Sequence, residues 1–387
     1  MIVISTNDSQ VFLNANIDQI KKDLLKLVQA ESPSKDIEKL NQCREVIQQM
    51  MKEKFNDLFK VTTYTDEEYG THLLYELNES NQKARILFLS HYDTVWNVGD
   101  LEIKEDGNKI YGPGIFDMKS GLLSSVWAIA TLLEEGELPI EPVFLFTSDE
   151  ELGSATSRPL IEEVAQTCDA AFILEPPQAT TNALKTERKG VGRYTVIAHG
   201  KSAHAGNHHE DGVNAINEIA RIVTKVADLT DYAVGTTVNV GQITGGTKTN
   251  VVPEKAQIEI DFRVKTQTEA DRIQAFMNAL VPEDKHIKLE IEGGLNRPPL
   301  EKTPENEKLF KLAETAAEKL GIEISASAVG GGSDGNFTSA IGVPTLDGLG
   351  IPGDGAHARI EHILFDQFVD RCALVAEVCK AFAAKNN

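Results

Sequence analysis

The apolar positions of this chain follow two alternating rhythms. Ile17, Ile20, Leu24, Leu27 and Val28 share one helical face and run into the breaker Glu31-Ser32-Pro33-Ser34, which predicts a helix. A second helix is predicted from about Ile37 to Phe59, followed by strand-like segments at Lys60–Tyr64 and His72–Leu77. Ile86–Leu89 is then uniformly large and apolar, and it stops abruptly at Ser90, His91, Tyr92 and Asp93. Such a run suits a strand buried on both faces of a mostly parallel sheet. Val143–Thr147 behaves alike and ends in Ser148-Asp149-Glu150-Glu151, and Ala170–Leu174 ends in Glu175. Between the runs, Leu122–Leu133 reads as an apolar helix rich in small residues. Strands alternating with helices imply βαβ units with right-handed crossovers.

The rhythm changes near Glu187–Gly192. A strand at Arg193–Ala198, a helix at about Val213–Ala227, strands at Thr236–Ile243 and Ala256–Val264, a helix at Thr268–Leu280 and a strand at His286–Glu292 follow. This β-α-β-β-α-β order is the ferredoxin-like arrangement, a complete small α+β domain. After Pro298-Pro299 the first rhythm resumes through Glu305–Leu320, the glycine loop Gly330, Gly331, Gly332, and a final helix of about Ile363–Ala384. Residues 1–188 and 299–387 are therefore expected to form one α/β domain, interrupted by an inserted domain at residues 189–298. A chain of 387 residues exceeds the size at which one core stops growing.

Charge narrows the partners. A net charge of −21 argues against nucleic acid as a partner, although a few arginines can still make a pocket for an anionic substrate. Leu122–Leu133 is interrupted by serines and too short to span a bilayer, so no membrane partner is expected. The beginning, MIVISTNDSQ, lacks the basic flank and apolar core of a signal peptide. Cys43, Cys168, Cys372 and Cys379 show no Cys-x-x-Cys spacing, and Cys372 and Cys379 read as small buried thiols in a helix. A reduced, cytoplasmic protein is expected.

Chemistry gathers at the strand ends, because ligands of open α/β sheets bind beyond the carboxyl ends of the strands. The candidates are His91, Asp93, Asp117, the run Asp149-Glu150-Glu151, Glu175 and His357. A lone loop acid is usually solvated, and three in a row usually make an exposed turn. Beside a core strand, however, three adjacent acids repel one another unless a cation compensates them. Two histidines with at least three carboxylates, and no cysteine, suit a pair of divalent ions, zinc first. A bound water can then fall to a pKa of about 7. A glutamate beside a ligand glutamate would serve as its general base.

The segments SHYDTV, GPGIFDMKSG, TSDEELGS, LEP, GKSAHAG, TNVVPEKAQIEIDFRV and GGGSDGNFTSAIGVPTLDGLGIPGDGAHARIEHI resemble the carboxypeptidase G / aminoacylase / acetylornithine deacetylase family of dizinc hydrolases. The likeness runs from about Leu87 to Glu361 in the family's order. It implies a zinc-peptidase-like catalytic domain with a mostly parallel central sheet, plus an inserted ferredoxin-like lid that forms a homodimer. By this resemblance His91 and Glu175 hold one zinc, Glu151 and His357 the other, and Asp117 bridges them. Co2+ or Mn2+ are possible substitutes for the two Zn2+. Glu150 matches the general base and Asp93 the acid that orients His91. His204 resembles a histidine that crosses the dimer to polarise the scissile carbonyl. Arg263 matches an arginine that grips a substrate carboxylate, Asn250 a polar lid residue near the substrate, and Gly330–Gly332 a loop lining the pocket. The bond between Asp117 and Met118 is expected to be cis. His208 and His209 have no counterpart and read as solvated.

The glycine loop and GLGIPGDGAHA are more similar to the glutamate carboxypeptidase branch than to the deacetylases. Release of a carboxyl-terminal amino acid from a small peptide or N-acyl compound is therefore expected. An N-acyl amino acid deacylase, acetylornithine deacetylase-like or succinyl-diaminopimelate desuccinylase-like, or a di- or tripeptidase is the alternative. A non-catalytic binder of amino-acid derivatives is the reading from another class, and retention of Glu150 and every ligand position argues against it.

Overall fold

The middle of the central sheet is covered on both faces, which is why the strands Glu141–Thr147, Arg85–His91 and Ala170–Ile173 read as apolar runs. In this computed structural model, which describes residues 8–136 and 138–386, the sheet order is Phe59–Asp66, Gly70–Leu77, Glu141–Thr147, Arg85–His91, Ala170–Ile173 and Thr345–Leu346. The last four are mutually parallel, and the first two are joined antiparallel. Ile86 and Phe88 enter one core with the helices Ile17–Gln29, Ile37–Phe55, Ser120–Glu134 and Phe368–Asn386. Leu87 and Leu89 point the other way, into a core shared with Leu160, Ile161, Val164 and Phe337. Each such large apolar side chain stabilises the fold by roughly 1.5–3 kcal/mol. The segment MIVISTN, on which the expectation about a leader partly rests, lies outside the described residues.

The chain divides into two compact units, Met1–Glu187 with Lys302–Val329 and Ser333–Asn387, and Arg188–Glu301 with Gly330–Gly332. In the second unit an antiparallel sheet runs in the order Thr237–Gly245, Lys255–Val264, Gly190–His199, Lys288–Arg297. Tyr194, Val196, Ala198, Ile258 and Ile260 pack from one face of it on the helices Ala215–Ala227 and Gln267–Asn278. The element order is β-α-β-β-α-β, as the sequence pattern predicts.

Local boundaries differ where side chains or distant partners intervene. The predicted helix to Phe59 stops at Phe55, because Asn56 takes φ +49° and closes it. Phe59 instead opens the edge strand. The last helix starts at Phe368, not Ile363, since His362–Leu364 pairs with Lys109–Tyr111 in a small sheet. A helix at Asp8–Ala15 and a strand at Leu184–Arg188 lack a clear sequence pattern. Cys43, Cys372 and Cys379 are buried thiols, and Cys168 is half-buried. Among the described residues no helix is long and apolar enough to cross a membrane.

Candidate metal centre

His91 is the last residue of the strand Arg85–His91, and its buried ring faces the ends of two neighbouring segments. Nε2 lies 3.3 Å from Asp117 Oδ1 and 3.5 Å from Glu175 Oε1. The other oxygen of Asp117, Oδ2, lies 3.6 Å from His357 Nε2, which in turn is 3.2 Å from Glu151 Oε1. One carboxylate thus faces both histidines. Single donor atoms of His91, Asp117 and Glu151 all lie within 4.8 Å of one another. The Asp117–Met118 peptide is cis.

These residues fit divalent cations. His91 Nε2 and Asp117 Oδ1 are buried without a hydrogen bond, although they face each other. Burial opposes charge on His91, yet the carboxylates of Asp117, Asp93 and Glu175 push its proton affinity well up. Glu151 raises His357 to about 9, and burial raises Glu151 itself to about 7. A cluster that must take up protons to offset its own negative charge is one that cations of the N/O-ligated type fit.

The neighbouring acids hold this cluster from behind. His91 Nδ1 lies 3.0 Å from the Asp93 carbonyl and 3.3 Å from Asp93 Oδ1. Two acceptors there assign the neutral ring's proton to Nδ1 and leave Nε2 able to bind a cation. Asp93 also accepts the backbone N–H of Glu150 on Oδ1 and that of Glu151 on Oδ2, each at 3.2 Å, and the Ser34 hydroxyl at 2.8 Å. Within the acidic run, Asp149 turns away: its Oδ2 accepts from Thr156 N, Thr156 Oγ1 and Ser157 N, where the helix Ser157–Ala165 begins. Glu151 faces His357. His357 itself takes φ +59°, a conformation uncommon outside glycine and one that clusters at functional sites. Glu361, which sequence reasoning did not single out, is buried and binds the backbone that carries Asp117. Its only sequence signal is an acid directly preceding the buried His362-Ile363 pair.

The remaining candidates lie in the second unit. His204 Nδ1 accepts from the N–H of both Gly206 and Asn207 at 3.1 Å, so its ring proton sits on Nε2, where it can be donated. The Asn250 carbonyl accepts from Ala205 N at 3.0 Å, which brings the His204 and Asn250 loops together. Arg263 lies elsewhere. It faces Val191, at the opposite end of the ten-residue strand Lys255–Val264 from the Lys255–His199 pair beside these loops, about 26 Å along the strand. Asp261 holds Arg263 through Nε at 2.9 Å and Nη2 at 3.0 Å. The carbonyls of Gly331 and Gly332 accept from Arg188 Nη1 at 3.2 and 3.1 Å, while Gly330 has open space around its Cα. His208 and His209 are exposed.

Residues 87–381, carrying both histidines and every acid of the centre, match the profile of peptidase family M20/M25/M40. The chain belongs to this family. It is 30% identical over 285 residues to carboxypeptidase G2 of a Pseudomonas strain, covering 70% of this chain and 68% of that one. It is 27% identical over 301 residues to a succinyl-diaminopimelate desuccinylase of Paracidovorax citrulli, covering 72% and 76%. Among solved structures, the aminopeptidase PepT of Bacillus cereus superposes with a TM-score of 0.76 at 25% identity, over 95% of this chain and 99% of its own. As an M20 protein the chain is a metal-dependent hydrolase of amide bonds, a peptidase or deacylase.

Proposed function

We propose that this M20 hydrolase removes a carboxyl-terminal amino acid from a small peptide or N-acyl compound. The observation that carries the two-cation centre beneath this reading is the division of Asp117 between His91 and His357, one oxygen to each. His91 and Glu175 would hold one cation, His357 and Glu151 a second, zinc first, with Asp117 between them. When bound, the cations polarise the scissile carbonyl and bring the pKa of the attacking water down to about 7.

The chain's own groups supply the rest. Glu150, fixed by its backbone bond to Asp93, takes the proton of that water and returns it to the departing amine nitrogen. His204 donates its Nε2–H to the carbonyl oxygen as negative charge develops there. Arg263 supports the choice of substrate. Asp261 occupies its Nε–Nη2 edge, which leaves the Nη1 edge for the carboxylate of the released amino acid. Groups at opposite ends of one sheet do not meet at one scissile bond, so His204 and Arg263 are assigned to different copies in a homodimer built through the second unit. The strand Thr237–Gly245, with one long edge unpaired among the described residues, is the surface that supports such pairing.

A panel of carboxyl-terminal glutamyl peptides, N-acetyl amino acids and plain dipeptides, each with zinc and with a chelator, tests the reading. Zinc-dependent release of the carboxyl-terminal residue from the glutamyl peptides is expected. Turnover of the N-acetyl amino acids alone would replace it with the deacylase reading.

A further inference from the structure

We infer that Glu361 is a positioning residue of the Asp117 centre, a buried carboxylate that fixes the turn bearing Asp117 against the loop bearing His357. The inference rests on reading that centre as a cation site.

Four N–H groups converge on this one side chain. Glu361 Oε1 accepts from Phe116 N at 2.9 Å and Asp117 N at 3.1 Å. Oε2 accepts from Gly114 N at 3.2 Å and from the Trp96 indole Nε1 at 2.5 Å. The carboxylate is 1% exposed. Successive backbone N–H groups turned to one point form an anion-binding nest, and the anion in this one is a side chain from a distant part of the sequence. The turn needs its glycine to adopt this shape: Gly114 has φ +68°, and a Cβ there would fall 2.4 Å from Thr94 Cγ2.

The other end of the device is His357. Ala358 N donates to Gly355 O at 2.8 Å and Glu361 N to Ala358 O at 2.9 Å, so His357 sits in consecutive turns that lead directly into Glu361. Beyond Glu361, His362 and Ile363 are fixed by pairing with Tyr111 and Ile110, just before the Gly114 turn. Glu361 therefore ties the carboxylate shared by the two histidines to the histidine on one side of it. Nothing in this arrangement requires contact with substrate.

A neutral amide cannot replace the carboxylate. Glutamine offers one acceptor oxygen, and in either orientation its NH2 group faces two of the four donors. Removing groups that orient metal ligands lowers metal affinity about 10–100-fold. The test compares wild type with Glu361→Gln, Glu361→Asp and Trp96→Phe. Zinc affinity is measured by competition with a chromophoric chelator, below the unfolding midpoint of each metal-free variant, alongside kcat and KM. The expected result is zinc affinity about 10–100-fold weaker in Glu361→Gln, with KM unchanged. Glu361→Asp should fall between, because it keeps the charge but is one methylene short. Trp96→Phe, which keeps all three backbone bonds, should change least. Wild-type zinc affinity in folded Glu361→Gln overturns the proposal, and so does a loss of thermal stability without any loss of affinity. A wild-type protein that binds no zinc overturns instead the cation-site reading beneath it, and the two failures are told apart without any substrate.

Discussion

The carboxylate of Asp93 binds the backbone N–H of Glu150, its partner across two strand ends, at 3.2 Å. The same carboxylate lies 3.3 Å from His91 Nδ1 and takes the Glu151 N–H on its other oxygen. A single buried acid thus orients a histidine and a glutamate of the proposed cation site together with the glutamate assigned as base. Asp93→Asn keeps the shape but points an NH2 group at one of these N–H donors. Zinc affinity and kcat should each fall about 10–100-fold, read by chelator competition and steady-state kinetics. Unchanged values for both would remove Asp93 from this role.

Gly121 stands where the helix Ser120–Glu134 meets the strand end that leads to Glu175. A Cβ at Gly121 would fall 1.8 Å from the Leu174 carbonyl oxygen, a backbone atom that cannot swing aside. Gly121→Ala should destabilise the metal-free protein by ~1–3 kcal/mol or more. It should also weaken zinc binding, because Leu174 is pushed and Glu175 follows it. Urea unfolding and zinc titration check the two effects, and a wild-type midpoint would show that the helix can shift freely.

The Asp261–Arg263 pair makes substrate discrimination testable. A charge-assisted hydrogen bond contributes about 1.5–3 kcal/mol, so Arg263→Ala should lose about 10–100-fold in kcat/KM on a substrate with a free carboxyl terminus. The same variant should barely change on the corresponding carboxyl-terminal amide. Arg263→Lys should recover little, since an ammonium cannot hold Asp261 and a second carboxylate in one plane. Equal losses on acid and amide would remove Arg263 from substrate recognition.

Much of the centre was legible because apolar runs that end in His91, Glu151 and Glu175 are the imprint of a sheet covered on both faces, with chemistry at its carboxyl edge. The inserted unit was legible for the same reason, its strands alternating where one face meets two helices. The division of labour within Asp149-Glu150-Glu151 was not legible, because it depends on where the helix after the turn begins: Asp149 is turned aside by Thr156 and Ser157. Glu361 escaped notice because three of its four donors are backbone N–H groups about 245 residues away, which leave no side-chain pattern. Non-local pairing likewise took Ile363 from the predicted last helix and gave it to a strand.

Metal content and turnover measured together on Glu150→Gln test the central claim most directly. The substitution leaves the proposed ligands His91, Asp117, Glu151, Glu175 and His357 intact and removes only the group assigned to carry the proton. Two zinc ions per chain, as in wild type, with turnover reduced at least about 10²–10⁴-fold, is the predicted result. Two zinc ions with wild-type turnover would contradict it and place the general base elsewhere.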